Sequence, residues 1–198
     1  MLKKLIFIVC SFVLFAACGK QVVSPAKQVR LNERLFAAID QSDWGEMKKL
    51  LAAGADINAV RVPPCEGGAC GEGQTPLMTV SSYYHSEETV RFLLDNGADV
   101  NAQGQYGQTA LMKAAEGCRV GNVRLLLTAG ADVNARNDVS ETALMYAASH
   151  DCADVISVLL QAEADIHATD KDGETALSIA ELRANTASAE VLKAAGGK

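Results

Sequence analysis

Apolar residues recur along the chain at the spacing of short amphipathic helices, and these helices come in pairs. The first helix of a pair carries apolar residues at i, i+3 and i+4, and the second helix repeats that spacing a few residues later. The first helices show this at Leu111, Ala114, Ala115 and Leu144, Ala147, Ala148, and the second helices at Val123, Leu126, Leu127 and Ile156, Leu159, Leu160. One helix pair cannot bury its apolar face alone, so the pattern predicts a stack of pairs.

The helix pairs belong to an internal repeat. Similar segments occupy residues 50–59, 93–102, 126–135 and 159–168, from LLAAGADINA to LLQAEADIHA, and the last three intervals between the glycine positions are 33 residues each. A second landmark, Thr-Pro-Leu or Thr-Ala-Leu, begins at Thr75, Thr109, Thr142 and Thr175. These words at this period resemble ankyrin repeats. The resemblance covers residues 32–198 and implies an all-α solenoid with short β-hairpin fingers and about five repeats, at 32–59, 73–102, 107–135, 140–168 and 171–198.

The landmark residues have local roles that follow from their chemistry. Each Thr is expected to cap its helix by accepting a hydrogen bond from a free backbone N–H. The glycine after the second helix suits a left-handed helix end. Asn58, Asn101 and Asn134 are expected to bond the turn backbone locally.

Some repeats depart from this pattern. Glu163 stands at the glycine position of the fourth repeat, which predicts a helix end that is either strained, by about 1 kcal/mol, or rearranged, and His167 replaces the nearby Asn. In the first repeat Glu33 stands where the others have the opening Thr. In the last repeat Glu181 and Lys193 stand where inner repeats have Ala and Leu, which suits an end that faces water.

The amino terminus has the pattern of an export signal. Lys3 and Lys4 precede an apolar run from Leu5 to Phe15, which is too short for a bilayer span of ~20 residues and typical of a signal peptide. The segment that ends at Cys18 resembles a bacterial lipobox, although Phe15 departs from its usual aliphatic residue. We therefore expect a signal peptide at 1–17, lipid on Cys18, a polar tether at 18–31 and a site at the outer membrane facing the periplasm. The alternative is an ordinary signal peptide.

Charge and composition narrow the class of partner. The net charge is −6 and the pI about 5.1. Nucleic-acid binding depends on Lys and Arg that neutralise phosphates, so this acidic chain is not expected to bind nucleic acid. An acidic surface instead suits basic protein partners.

Four cysteines remain once Cys10 and Cys18 are set aside, and export would place them in an oxidising compartment. Cys65 and Cys70 lie in a first finger that is nine residues longer than the finger after Gly130. A disulfide is favoured there over zinc, which usually takes four ligands. Cys118 and Cys152 fall in the turns between the two helices of adjacent repeats. They are predicted to pair, with two buried free thiols as the alternative.

The sequence offers no recognisable active site. His85, His150 and His167 lie in different repeats without a metal-ligand spacing, and neither a Gly-x-Ser-x-Gly elbow nor a phosphate-binding loop occurs. Asp56, Asp99, Asp132 and Asp165 recur with the repeat and are expected to be parts of the hairpin. We therefore expect no catalysis, cofactor, metal or small-molecule substrate.

The resemblance implies a protein partner bound by the fingers and the inner face of the first helices. The candidate contact residues are Arg61, Tyr106, Lys113, Arg136, Asn137, Asp138, Tyr146 and Lys171. Two roles are compatible with an envelope-tethered binding module. One is an immunity or inhibitor lipoprotein that sequesters a toxic effector enzyme. The other is a scaffold or accessory protein that supports a periplasmic enzyme, for example in oxidative-stress protection.

Overall fold

A computed structural model describes residues 24–61, 73–82 and 87–197. The helices of these segments follow one another in pairs along the chain. They are α1 (Pro25–Asp40), α2 (Trp44–Ala52), α3 (Pro76–Ser82), α4 (Glu87–Asp95), α5 (Ala110–Glu116), α6 (Val120–Thr128), α7 (Ala143–Ser149), α8 (Ala153–Gln161), α9 (Ala176–Leu182) and α10 (Thr186–Ala194). Within the described residues the fold is an all-α repeat solenoid, as the sequence predicts.

The core runs as one continuous layer through the stack. First helices pack on first helices and second helices on second helices of the neighbouring repeats. The first helices approach closely because alanines fill their inner face, such as Ala114, Ala115, Ala147 and Ala148, all fully buried. The leucines at the same repeat position, Leu111 and Leu144, are 1 % exposed. Across the described segments, no helix is both long and apolar enough to cross a membrane.

The predicted tether is wrong from Pro25 onward, because α1 begins there and continues for 16 residues. Proline is favoured in the first turn of a helix, where its missing N–H is not needed. Leu31 and Leu35 on this helix are buried. Glu33 therefore lies inside α1 and does not open it. Residues 18–23 of the predicted tether lie outside the described residues, as does the signal peptide.

Asparagine side chains connect each repeat to the next. Asn58 Oδ1 accepts a hydrogen bond from the N–H of Asp99, Asn101 Oδ1 from that of Asp132, and Asn134 Oδ1 from that of Asp165, at 2.8–2.9 Å. We call this row the asparagine ladder. The local role predicted for these asparagines is wrong: the Asp side chains bond the turn, as where Asp132 Oδ1 accepts from the N–H of Asn134.

The side chains at the two ends of the solenoid make contacts that differ from those of the inner repeats. At the start, Asn32 of α1 accepts from the N–H of Asp56, and Gln28 donates to the carbonyl of Gly54. The first turns of α1 thus take the place of a preceding repeat. Toward the other end His167, in the fourth repeat, replaces the asparagine at the next ladder position. At that end Glu181 and Lys193 form an exposed ion pair at 2.7 Å, which confirms the water-facing end that the sequence predicts.

The helix ends follow the sequence with one exception. Thr75, Thr109 and Thr175 accept from the third residue of their helices at 3.2–3.4 Å. In the described part, the buried Oγ1 of Thr142 has no hydrogen-bond partner. Glu163 adopts φ 65°, while Gly130 at the equivalent position has φ 91°. The left-handed helix end predicted at Glu163 is therefore present.

Candidate protein-binding surface

The fingers of successive repeats are bonded to one another through their backbones. The N–H of Gln105 donates to the carbonyl of Gly73 at 2.8 Å, that of Asp138 to Tyr106 at 3.0 Å, and that of Lys171 to Val139 at 3.0 Å. The first finger closes through an isolated antiparallel bridge between Arg61 and Gln74. These bonds make the fingers a continuous row, which we call the finger row.

The third and fourth fingers are tight turns, and each is built around one polar side chain. Asn137 Oδ1 accepts from the N–H groups of Val139 and Glu141, and Asp170 Oδ1 accepts in the same way from Asp172 and Glu174. Asn137 is only 8 % exposed. Its prediction as a contact residue is therefore wrong, because its side chain is used to shape the finger.

Lys113 is also wrongly predicted as a surface contact. It is 4 % exposed, and its Nζ lies 3.0 Å from Glu116 Oε2. A buried ammonium needs an opposite charge, and the glutamate one helical turn later supplies it. The position faces the groove in the sequence repeat, yet the side chain is covered by its neighbours.

Tyr146 lies half-buried beneath the second and third fingers. Its hydroxyl accepts hydrogen bonds from Gln108 Nε2 at 3.0 Å and Asn137 Nδ2 at 3.2 Å. Burial raises the pKa of the Tyr146 phenol above its ordinary value of 10.0, and the negative charge of Glu141 adds to that rise. The side chain thus ties two fingers to α7 while part of it remains at the surface.

The remaining predicted residues keep their side chains at the surface. Tyr106 is 51 % exposed and adopts φ 66°, which turns it outward at the tip of its finger. Asp138 and Lys171 are exposed. Two arginines are held in place: Arg61 packs on the Phe36 ring and pairs with Asp40, and Arg136 donates to the carbonyl of Thr169.

Two hollows open between the fingers and the first helices of the third to fifth repeats. The first, which we call the finger cavity, has a volume of about 240 Å³ and includes Tyr106, Gln108, Asp138 and Glu141 in its lining. The second, of about 210 Å³, lies between α7 and α9 and shares Glu141 and Tyr146 with the first. The sequence reasoning missed Gln108 and Glu141, whose signal was their place directly before the capping threonines.

Cys118 and Cys152 are joined by a disulfide, with their α-carbons 5.2 Å apart. Cys118 and Asp151 occupy equivalent turn positions in adjacent repeats, with φ 53° and 57°. Cys152 follows Asp151, so an offset of one residue brings the two thiols together. Cys18, Cys65 and Cys70 lie outside the described residues, as does His85. Among the residues described, no three His, Cys, Asp or Glu side chains are grouped to hold a metal ion.

Family models match most of the solenoid. A model of ankyrin repeats in three copies matches residues 35–137, and a model of many ankyrin repeats matches residues 126–180. The chain therefore belongs to the ankyrin-repeat family. Ankyrin repeats form a protein-interaction fold that is generally non-catalytic, and they make this chain a protein-binding module.

The curated relatives share only part of their length with this chain. Rabankyrin-5 of Mus musculus is 35 % identical over 95 residues, and Rabankyrin-5 of Homo sapiens is 36 % identical over 97 residues. These matches cover 46 % and 48 % of this chain but 8 % of either relative. The E3 ubiquitin-protein ligase XBAT33 of Arabidopsis thaliana is 40 % identical over 93 residues, which are 46 % of this chain and 16 % of that protein. The similarity therefore concerns the repeats and not the activities of the whole relatives.

Proposed function

We propose that this chain is an exported, lipid-anchored binding module of the bacterial envelope that sequesters a toxic effector enzyme, as an immunity or inhibitor protein does. The observation that carries the proposal is the finger row, which presents Tyr106, Asp138 and Lys171 on fingers joined by backbone hydrogen bonds. A surface that is rigid before binding loses little conformational freedom when a partner docks. Tyrosine is also a frequent anchor of protein interfaces.

Two features support export. The first seventeen residues have the charge and apolar pattern of a signal peptide, and Cys18 follows a lipobox-like segment. The disulfide between Cys118 and Cys152 is the second feature, since such bonds persist in oxidising compartments and are rare in the cytosol. The lipid anchor would place the first repeat nearest the membrane and the later fingers farther out.

The distribution of charge supports a basic partner that binds the second to fifth repeats, away from the proposed lipid anchor. Residues 24–61 carry six basic and five acidic side chains, a net charge of +1, whereas residues 73–197 carry eight basic and seventeen acidic side chains, a net charge of −9. Such a field attracts a positively charged protein and speeds its association. An inhibitor that must capture an arriving enzyme benefits from that rate.

The test uses the full chain expressed with its own leader, and Cys18→Ser as the matched control. We expect labelled fatty acid on the wild-type chain only, and recovery of the wild-type chain with the membrane fraction. Failure to incorporate lipid would contradict the anchor.

A second experiment captures partners from envelope extract with the chain as bait and measures the activity of any enzyme retained. Loss of that enzyme's activity on binding supports the inhibitor role. An enzyme that keeps or gains activity in the complex would contradict it and would favour the scaffold role instead. If no protein is retained, the binding proposal itself fails.

A further inference from the structure

We propose that the finger cavity binds an arginine side chain of the protein partner. The inference rests on the proposed binding function and specifies what the partner presents at one point of the finger row. It follows from an unpaired acceptor, the charges around it and the apolar rim above it.

The unpaired acceptor is the amide oxygen of Gln108. This side chain is 6 % exposed and lines the finger cavity. Its Nε2 donates to the Tyr146 hydroxyl, while in the described part of the chain its Oε1 has no hydrogen-bond partner. A buried polar atom without a partner costs about 1–3 kcal/mol. A donor from a bound ligand would remove that cost.

The charges beside Gln108 select a cation. The charged side chains that line the finger cavity are both carboxylates, Asp138 and Glu141. Asn137 Nδ2 holds Glu141 Oε2 at 2.8 Å, so this carboxylate is fixed in position before a ligand arrives. Lys113 lies close enough to influence Tyr146, but its ammonium is paired with Glu116 and it does not line the finger cavity.

The apolar rim favours arginine over lysine. Tyr106 and Val139 line the cavity and are 51 % and 49 % exposed, so their apolar surfaces are accessible to a bound ligand. A guanidinium is planar, stacks on aromatic rings and offers five donors, so one group can serve Gln108 and both carboxylates. A lysine ammonium is a strongly hydrated point charge and gains less from this rim. Leucine or valine beside the arginine would suit the exposed Val139.

The finger cavity adjoins the second hollow, because both are lined by Glu141 and Tyr146. The second hollow differs in charge, since Arg183 lines it together with Asp170 and Glu174. The arginine specificity is therefore expected at the finger cavity alone. The next residues of the same partner segment would lie between α7 and α9.

The probe is the acetylated, amidated tripeptide Leu-Arg-Leu, titrated into the full mature chain and followed by the NMR signals of the Gln108 side-chain amide. Its matched comparison replaces arginine with citrulline, which keeps the shape and loses the charge. We expect saturable shifts at Gln108 and Tyr106 with the arginine peptide. Citrulline should weaken Kd about tenfold, the effect of removing one charge-assisted hydrogen bond, and a lysine peptide should lie between them.

Two conservative variants locate the binding. Asp138→Asn should weaken Kd for the arginine peptide about tenfold, while Asp172→Asn removes the same charge from the next finger, outside the cavity, and should leave it unchanged. Gln108→Leu should also weaken it. Equal loss in Asp138→Asn and Asp172→Asn, or equal affinity for the citrulline peptide, would overturn the proposal in favour of general attraction to an acidic surface.

The same variant separates this inference from the proposed function. If the wild-type chain captures a protein and Asp138→Asn captures it with the same Kd, the arginine inference fails and the binding function stands. If the arginine peptide binds at the finger cavity but no protein partner is captured, the binding function fails and the cavity assignment stands.

Discussion

The two ends of the repeats are held together by different means. At the finger end the same hydrogen bonds recur: asparagine to backbone in the ladder from the first to the fourth repeat, and backbone to backbone in the finger row. At the turn end, where the two helices of a repeat meet, the third and fourth repeats are joined by the disulfide of Cys118 and Cys152. Hydrogen bonds also join other repeats at the turn end, such as that from Asn185 Nδ2 to the Ala148 carbonyl at 2.8 Å. Among the described residues, the finger end is therefore stabilised by hydrogen bonds alone, whereas the turn end adds one covalent bond at a single junction.

The largest expected effect comes from removing the disulfide. Its cysteines are 34 residues apart, and a crosslink that closes such a loop contributes about 4 kcal/mol on the chain-entropy estimate. The double variant Cys118→Ala/Cys152→Ala should lose about that much free energy of unfolding, measured by urea denaturation.

Reduction provides the control for the disulfide. A reducing agent should lower the midpoint of the wild-type chain by more than that of the double variant, which keeps Cys65 and Cys70. If the wild-type midpoint does not move on reduction, the turn end is not held covalently and the contrast with the finger end disappears.

The second effect is expected at one step of the asparagine ladder. Asn101 accepts from the N–H of Asp132 and donates to the carbonyl of Gly130. Asn101→Ala loses both bonds, so we expect a loss of about 1–2 kcal/mol in urea denaturation. His167→Ala removes the side chain that replaces the asparagine at the same position of the fourth repeat and should change stability by less than about 0.5 kcal/mol. Equal effects of the two variants would mean that the ladder contributes nothing specific.

The third substitution is expected to stabilise the chain, whereas the first two destabilise it. Glu163 holds a left-handed conformation at φ 65°, which costs a non-glycine residue about 1 kcal/mol. Glu163→Gly should therefore raise the thermal midpoint. The matched substitution Gly130→Ala, at a site with open space around an added Cβ, should lower it by a similar amount. A destabilising Glu163→Gly would show that the glutamate side chain offsets its own backbone strain.

The repeat period predicts the fold because the same apolar spacing and helix caps recur. A departure in one repeat does not change the prediction, since the other repeats support it. Residues that occur once lack that support. The first turns of α1 resemble no repeat, and their role depends on the hydrogen bonds of Gln28 and Asn32 to the first loop, which no sequence pattern indicates. The contact surface was less predictable still. Lys113 and Asn137 vary between repeats as contact residues do, yet both are buried. Lys113 is paired with Glu116, and Asn137 accepts hydrogen bonds from the backbone of its own finger.

The smallest expected effect tests the burial of Tyr146 at the finger end. Because burial raises its pKa in the folded state above the ordinary 10.0, the folded chain resists loss of the phenol proton. Its stabilising contribution is present below pH 10.0 and is lost as the pH rises from there through the higher folded value. The free energy of unfolding should thus decline more steeply above pH 10.0 for the wild-type chain than for Tyr146→Phe. Parallel declines would show that Tyr146 ionises as an exposed tyrosine does and that the fingers do not shield it.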